Sequence, residues 1–230
     1  MLLKAHVEYL GLEDIKAAYS ATSQFTPVEL QLEDEAGISV VVALGNREPE
    51  AAIRILEAFP HDFIGGGGYG SFPVRSWIGD AREMEAQPDA ARVQWQVALQ
   101  MVQDRLKAAP NDLQLIGHEA IIFGRLGQTE DARHSFQLLQ NLTPGGLQGQ
   151  RAVWLTFMAI LGEKEKLFSE LTAEYESKDD GWPETHANLR FMPWFDSLRG
   201  EPRFEKLLRD TLPPGAKPFD QPGAMAEPGR

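Results

Sequence analysis

Residues 111–144 read NDLQLIGHEAIIFGRLGQTEDARHSFQLLQNLTP, and the way this stretch parses decides the fold. Its apolar residues recur at three- and four-residue spacing, the period of a helix with one buried face. One helix ends near Leu126-Gly127 and a second opens near Thr129, a residue type suited to an N-cap. Glu130 and Asp131 follow in the first turn, where the helix dipole favours acids. Ala132, Phe136 and Leu139 fall on one face of the second helix, and Pro144 ends it because proline has no N–H to continue the ladder. The stretch is predicted to be a helical hairpin.

The same shape recurs on both sides. Pro110 and Pro144 stand 34 residues apart, as do Ala98 and Ala132, and Val102 and Phe136. Ile160-Leu161-Gly162-Glu163-Lys164-Glu165 repeats Arg125-Leu126-Gly127-Gln128-Thr129-Glu130 after 35 residues, with Gly145-Gly146 loosening the junction. Ala43-Leu44-Gly45-Asn46-Arg47-Glu48-Pro49 is the turn once more. Strict polar-apolar alternation is rare, and the one β-branched run, Ile38 to Leu44, continues from VELQLEDEAG without a turn signal and ends at Gly45, so it too is predicted helical. A supersecondary unit repeated at a near-fixed period predicts an all-α array of four or more helix pairs.

In these residues the chain resembles the tetratricopeptide repeat family. The match in 111–144 covers small Ala120 and Ala132, where paired helices approach closely, aromatic Phe123 and Phe136, and terminal Pro144. Ile116 stands where the family usually has Trp, Glu119 where it has Leu, and Leu139 at its last small position. Over roughly residues 30–210, through GDAREMEAQPDAARVQWQVALQMVQDRLKAAPND and NLRFMPWFDSLRGEPRFEKLL, the chain is similar to the C-terminal repeat region of bacterial signalling proteins such as serine/threonine kinases, adenylate cyclases and winged-helix regulators. The resemblance implies a right-handed α-α superhelix over residues 1–211 whose concave face holds a protein or peptide. The role it implies is non-catalytic interaction or sensing, alone or as the regulatory part of a larger signalling protein. In the family the first helix of each pair lines the groove, which nominates Gln114, Ile121 and Arg125, with Gln150 and Arg151 one repeat on.

Composition narrows the partners. The 22 Lys+Arg against 34 Asp+Glu leave a net charge of −12, so the summed field repels nucleic acid and anionic membrane and favours a basic segment. With no cysteine there is no disulfide, thiolate nucleophile or Cys-based zinc site. The opening MLLKAHVEYLGLEDIK meets charge at Lys4 and Glu8 before an apolar run of signal length, and nothing later reaches the roughly 18 apolar residues of a membrane span. A cytoplasmic protein is expected.

Candidate chemistry reduces to fragments of motifs. In FIGGGGYGSF (63–72), Gly65, Gly67 and Gly70 spell G-x-G-x-x-G. That fingerprint needs a strand before it and a helix N-terminus after it, whereas the preceding PEAAIRILEAFP reads as a helix closed by Pro60, and no P-loop Lys follows. The run is predicted to be a flexible loop between helix pairs. His118-Glu119 begins H-E-x-x-H, but Ile122 holds the place of the second ligand, leaving His134 across the hairpin as a partner ring. Lys178-Asp179-Asp180-Gly181 lacks the alternating acids of a calcium loop, and Glu33, Asp34 and Glu35 read as a solvated helix face. No catalytic residue, metal or cofactor is expected.

Around Trp95, one stripe of Val93, Val97 and Met101 and another of Trp95, Ala98, Leu99, Val102 and Leu106 predict a helix buried on two sides, and Trp77 and Trp154 are predicted core residues. Trp194, Phe195 and Leu198 after Pro193, then Phe204, Leu207 and Leu208 after Pro202, predict a C-terminal capping element. The Pro/Gly-rich stretch 212–230 is expected to be disordered.

Overall fold

A computed structural model describes residues 1–65, 70–143, 151–177 and 182–218, without the side chains of residues 177 and 182–184. Helices dominate. The first half holds α1 (Leu2–His6, running into a π-helical turn Val7–Gly11), α2 (Ile15–Thr22), a 3-10 turn Glu29–Gln31, α3 (Glu33–Gly45), α4 (Pro49–Ala58), strands β1 (Phe63–Gly65) and β2 (Ser71–Pro73), α5 (Val74–Met84) and α6 (Pro88–Ala108). The second holds α7 (Leu113–Arg125), α8 (Thr129–Leu142), α9 (Arg151–Ile160), α10 (Lys164–Ser177), α11 (Trp182–Phe191), a 3-10 segment Pro193–Leu198 and α12 (Pro202–Asp210). No helix among the described residues is long and apolar enough to cross a membrane.

The hairpins share one turn, used four times. At Arg47, Ala86, Gly127 and Gly162 the backbone enters the left-handed region, with φ of +64°, +56°, +75° and +69°. In each case the next residue donates back across the helix end: Glu48 N–H to Ala43 O (2.9 Å), Gln87 to Arg82 (3.0 Å), Gln128 to Phe123 (2.9 Å) and Glu163 to Met158 (2.9 Å). This closing pair of a left-handed residue and a six-to-one bond satisfies the carbonyls that a helix end leaves free, and it sends the chain straight into the next helix. Two details differ from expectation. Gly45 is not the turn residue but the last residue of α3, and Thr129 is the first helical residue of α8, after Gln128, which makes no side-chain cap bond.

The chain divides into two compact units, residues 1–60 with 168–230, and residues 61–167. In the first, α1, α2 and α3 pack on one another, α3 packs on α4, and α11 packs on the π-helical turn, the 3-10 segment and α12. A Cβ at Gly45 would stand 3.1 Å from Ile15 and 3.2 Å from Phe191, so the bare backbone there sets how closely α2, α3 and α11 meet. Tyr9, Ile15, Leu44, Leu56, Phe191, Phe195 and Phe204 fill this core. A repeat array joins sequence neighbours; this unit also joins distant segments, as where the Tyr9 hydroxyl donates to Asn188 Oδ1 at 2.9 Å.

Of the residues expected to form a capping element, Trp194, Phe195, Leu198, Phe204 and Leu208 are buried and Leu207 is half-buried, and the 3-10 segment and α12 pack on α11 within the first unit. Of the stretch 212–230, residues 212–218 lie against the start of the chain: Ala216 is buried, Lys217 N–H donates to Leu12 O at 2.6 Å, and the Lys217 ammonium meets Asp14 at 2.9 Å. Proline and glycine remove helical propensity, but they do not prevent a segment from being held by specific bonds. Residues 219–230 lie outside the described residues.

In the second unit α5 packs on α6, α6 on α7, and α7 on α8 and α9. Phe63, Ala91, Trp95, Ala98, Val102, Leu115, Ile122 and Leu126 form one core cluster. The flanks of the glycine run are not loop: β1 and β2 pair antiparallel, Phe63 opposite Pro73, Ile64 opposite Phe72 and Gly65 opposite Ser71. Burial of Phe63, Ile64 and Phe72 drives this, and pairing satisfies the backbone groups that go in with them. The Arg105 guanidinium covers the Phe63 ring, 3.5 Å from its centre. Among the described residues the mostly helical fold thus carries one short antiparallel strand pair. The other departure is α6, where Val93 is 55% and Val97 44% exposed, so this helix is buried on one side and not two. Trp77 is core as expected; Trp154 is half-buried against Phe136, and the Trp182 side chain lies outside the described residues.

Candidate functional site

The Asp112 carboxylate caps α7 by accepting the Leu115 N–H at 3.0 Å, and α7 carries three of the nominated groove residues. Gln114 is exposed, its amide lying over Gly70, where a Cβ would come within 2.3 Å of Nε2. Gly70 has φ +66°, so the backbone there favours glycine, while the exposed Gln114 side chain could move aside. Ile121 is 2% exposed and packs inward. Arg125 is half-buried on Asp80, with Nε 3.0 Å from Oδ1 and Nη2 3.4 Å from Oδ2. Arg151 opens α9 half-buried, and Gln150 lies outside the described residues.

Asp80 is the node of the second unit. It stands on α5, accepts the Trp95 indole N–H of α6 at 3.1 Å, and pairs with Arg125 of α7, so one buried carboxylate ties three successive helices. Burial pushes its carboxyl above the ordinary value of 3.8, against the opposing pull of Arg125 and the Trp95 N–H. Gly79 makes the contact possible, since a Cβ there would stand 2.4 Å from Trp95 Cδ1 and Nε1. Glu119 does similar work, accepting from Ser135 Oγ of α8 at 2.7 Å and from Gln103 Nε2 of α6 at 3.3 Å. Glu119 therefore has partners on both neighbouring helices. Sequence reading missed Asp80; the signal for it was a Gly-Asp pair on the face of α5 that otherwise buries Trp77, Ile78 and Ala81.

The other fragments do not assemble. His118 is buried against Phe72, ring centres 4.1 Å apart, while His134 is exposed, so the two rings are not brought together. No group of three metal-ligating side chains occurs among the described residues. Gly65 ends β1 and Gly70 directly precedes β2, so these two glycines border strands and not the helix N-terminus that holds a pyrophosphate, and Gly67 lies outside the described residues. The calcium-like stretch 178–181 lies outside the described residues.

The first unit contains a closed charge cluster and an open cavity. Glu13 Oε1 lies 2.7 Å from His186 Nδ1 and its Oε2 2.7 Å from Arg190 Nη1, all three side chains being fully buried. His186 Nε2 donates to the Leu208 carbonyl at 2.8 Å, which fastens α12 to the same cluster. Separately, α2, the segment from Phe25 to Gln31, α3 and α4 enclose a cavity of about 400 Å³. Phe25, Pro27, Leu30, Ala43, Ala51, Ile55 and Ala58 make its wall apolar.

No family model, no curated protein and no solved structure matches the chain.

Proposed function

We propose that the chain is a non-catalytic protein- or peptide-binding module, a tetratricopeptide-like α-α superhelix serving interaction or sensing. The observation that supports it is the fourfold use of one hairpin turn, at Arg47, Ala86, Gly127 and Gly162, which presents successive helices in a repeated way. Such helices are ordered before a partner arrives, so binding does not carry the entropy cost of arranging them. The buried acid Asp80 and the half-buried Glu119 join neighbouring helices, which fits a scaffold more closely than a reacting centre. The charge of −12 makes a basic segment the favoured partner.

Panning a random peptide library on phage against the intact chain tests this. Enriched peptides are expected to be rich in Lys and Arg, and to lose about tenfold affinity for Gln114→Arg, equivalent to about 1.4 kcal/mol. Absence of any enriched motif, or binding indifferent to Gln114→Arg, counts against the reading. A melting temperature raised by ATP, NAD or NADP, and returned to its ligand-free value by Gly67→Ala, would replace it with a nucleotide-binding one.

A further inference from the structure

The cavity of the first unit has a wall in which nearly every polar group is already committed. Thr22 Oγ1 donates to Tyr19 O at 3.1 Å, Ser23 Oγ to Ser20 O at 3.0 Å, and Ser39 Oγ to Glu35 O at 2.6 Å. Gln31 Nε2 donates to Ala58 O at 3.1 Å, tying the segment over the cavity to the end of α4. That segment is braced again by a capping box, in which Thr26 N–H donates to Glu29 Oε2 at 2.8 Å and Glu29 N–H returns to Thr26 Oγ1 at 3.2 Å. The cavity is thus a braced concavity and not a gap under a loose loop.

Two polar side chains of the wall remain. Tyr19 on α2 and Arg54 on α4 both line the cavity, and neither side chain makes a hydrogen bond among the described residues. Burial is the largest influence on the Tyr19 hydroxyl and raises its pKa, Glu48 raises it further, and Arg54 lies close enough to lower it by less. The hydroxyl therefore keeps its proton and can donate. Arg54 is exposed at the rim and supplies a fixed positive charge with planar donors matched to a carboxylate. Glu48 does not line the cavity, whereas Arg54 does, so the positive charge at the wall is Arg54's.

An apolar concavity with a few convergent polar groups is how small-ligand sites are built. A volume of about 400 Å³ holds roughly ten to fifteen non-hydrogen atoms. We propose that this cavity binds a small monocarboxylate with an aliphatic body, the chain lying among Phe25, Leu30, Ala43 and Ile55 and the carboxylate meeting the Arg54 guanidinium and the Tyr19 hydroxyl. The site is independent of any peptide groove in the second unit, and it would let the chain respond to a metabolite.

Octanoate is the probe, with 1-octanol as its uncharged counterpart, each titrated into the intact chain by calorimetry and by thermal shift. Octanoate is expected to bind saturably and raise the melting temperature, and octanol to bind about tenfold more weakly. Arg54→Gln is expected to weaken octanoate about tenfold and Tyr19→Phe about threefold, both leaving the far-ultraviolet dichroism unchanged because the side chains make no internal hydrogen bond. Ala58→Trp, at the exposed rim, should block entry. Equal affinity for octanoate and octanol, an unchanged Arg54→Gln, or an unaffected Ala58→Trp would each overturn the proposal, as would failure of octanoate to bind the wild-type chain.

Discussion

Glu13 holds two unfavourable conditions at once. Its backbone sits at φ +49°, where a non-glycine residue is strained by about 1 kcal/mol, and its carboxylate is buried completely. Both are offset by the 2.7 Å hydrogen bond from Arg190 and the 2.7 Å contact with His186 Nδ1, which also tie α11 to the start of the chain. Removing one partner of such a set leaves the other buried charge uncompensated, a loss of about 3–5 kcal/mol. Glu13→Gln is therefore expected to lower unfolding free energy by about that amount in urea melts followed by circular dichroism, while Arg190→Met with Glu13→Leu together should lose less. A single-variant loss below about 1 kcal/mol would show that Arg190 draws its stability from elsewhere. None of this was legible in the sequence, because Glu13 and His186 are 173 residues apart and neither belongs to a local motif.

At the scale of elements, the helices and two of the four turns were legible because glycine marks them. Gly127 and Gly162 take the left-handed position themselves, and a Leu-Gly pair at a helix end is the local signal for it. The turn after α5 went unread because Ala86 takes the same conformation without glycine, and the turn after α3 was placed two residues early because Gly45 serves packing while Arg47, anchored to Asp196 at 2.5 Å, makes the bend. The second apolar stripe of α6 was misread for a related reason: periodicity reports that Val93 and Val97 share a face, not whether another element covers it. The strand pair was hidden by brevity, since three-residue strands give no alternation to detect.

The tie between α5, α6 and α7 carries a pH dependence whose sign follows from Asp80. Its folded pKa is raised by burial above 3.8, so over the interval from 3.8 upward the folded state holds the proton more tightly than the unfolded one. Stability from this group is complete below that interval and declines as pH rises through it. Asp80→Asn cannot titrate, so the stability difference, wild type minus variant, is expected to shrink from pH 3.8 toward neutrality in urea melts on either side of that interval. A difference that grows as pH rises would mean that Arg125 outweighs desolvation and that the pKa is lowered.

For the whole molecule, the charge of −12 sets attraction against repulsion in a way that magnitudes can decide. The exposed pairs Lys107–Asp104, Arg133–Glu130 and Lys206–Asp210 join neighbours on one helix and contribute little, and salt screens them. Added salt also screens repulsion among an excess of acids, and that repulsion acts at longer range, with a screening length falling from about 30 Å at 0.01 M to about 8 Å at 0.15 M. Buried ties such as Asp80–Arg125 and Glu13–Arg190 are shielded from the change. Repulsion being the larger screened contribution, the melting temperature is expected to rise by about 2–4 °C between 0.01 M and 0.15 M sodium chloride, equivalent to about 1 kcal/mol for a chain of this length. Calorimetry at fixed pH 7 decides it: a melting temperature that falls with salt would mean that the surface pairs form a cooperative network, and that the excess acids are spread too far apart to repel.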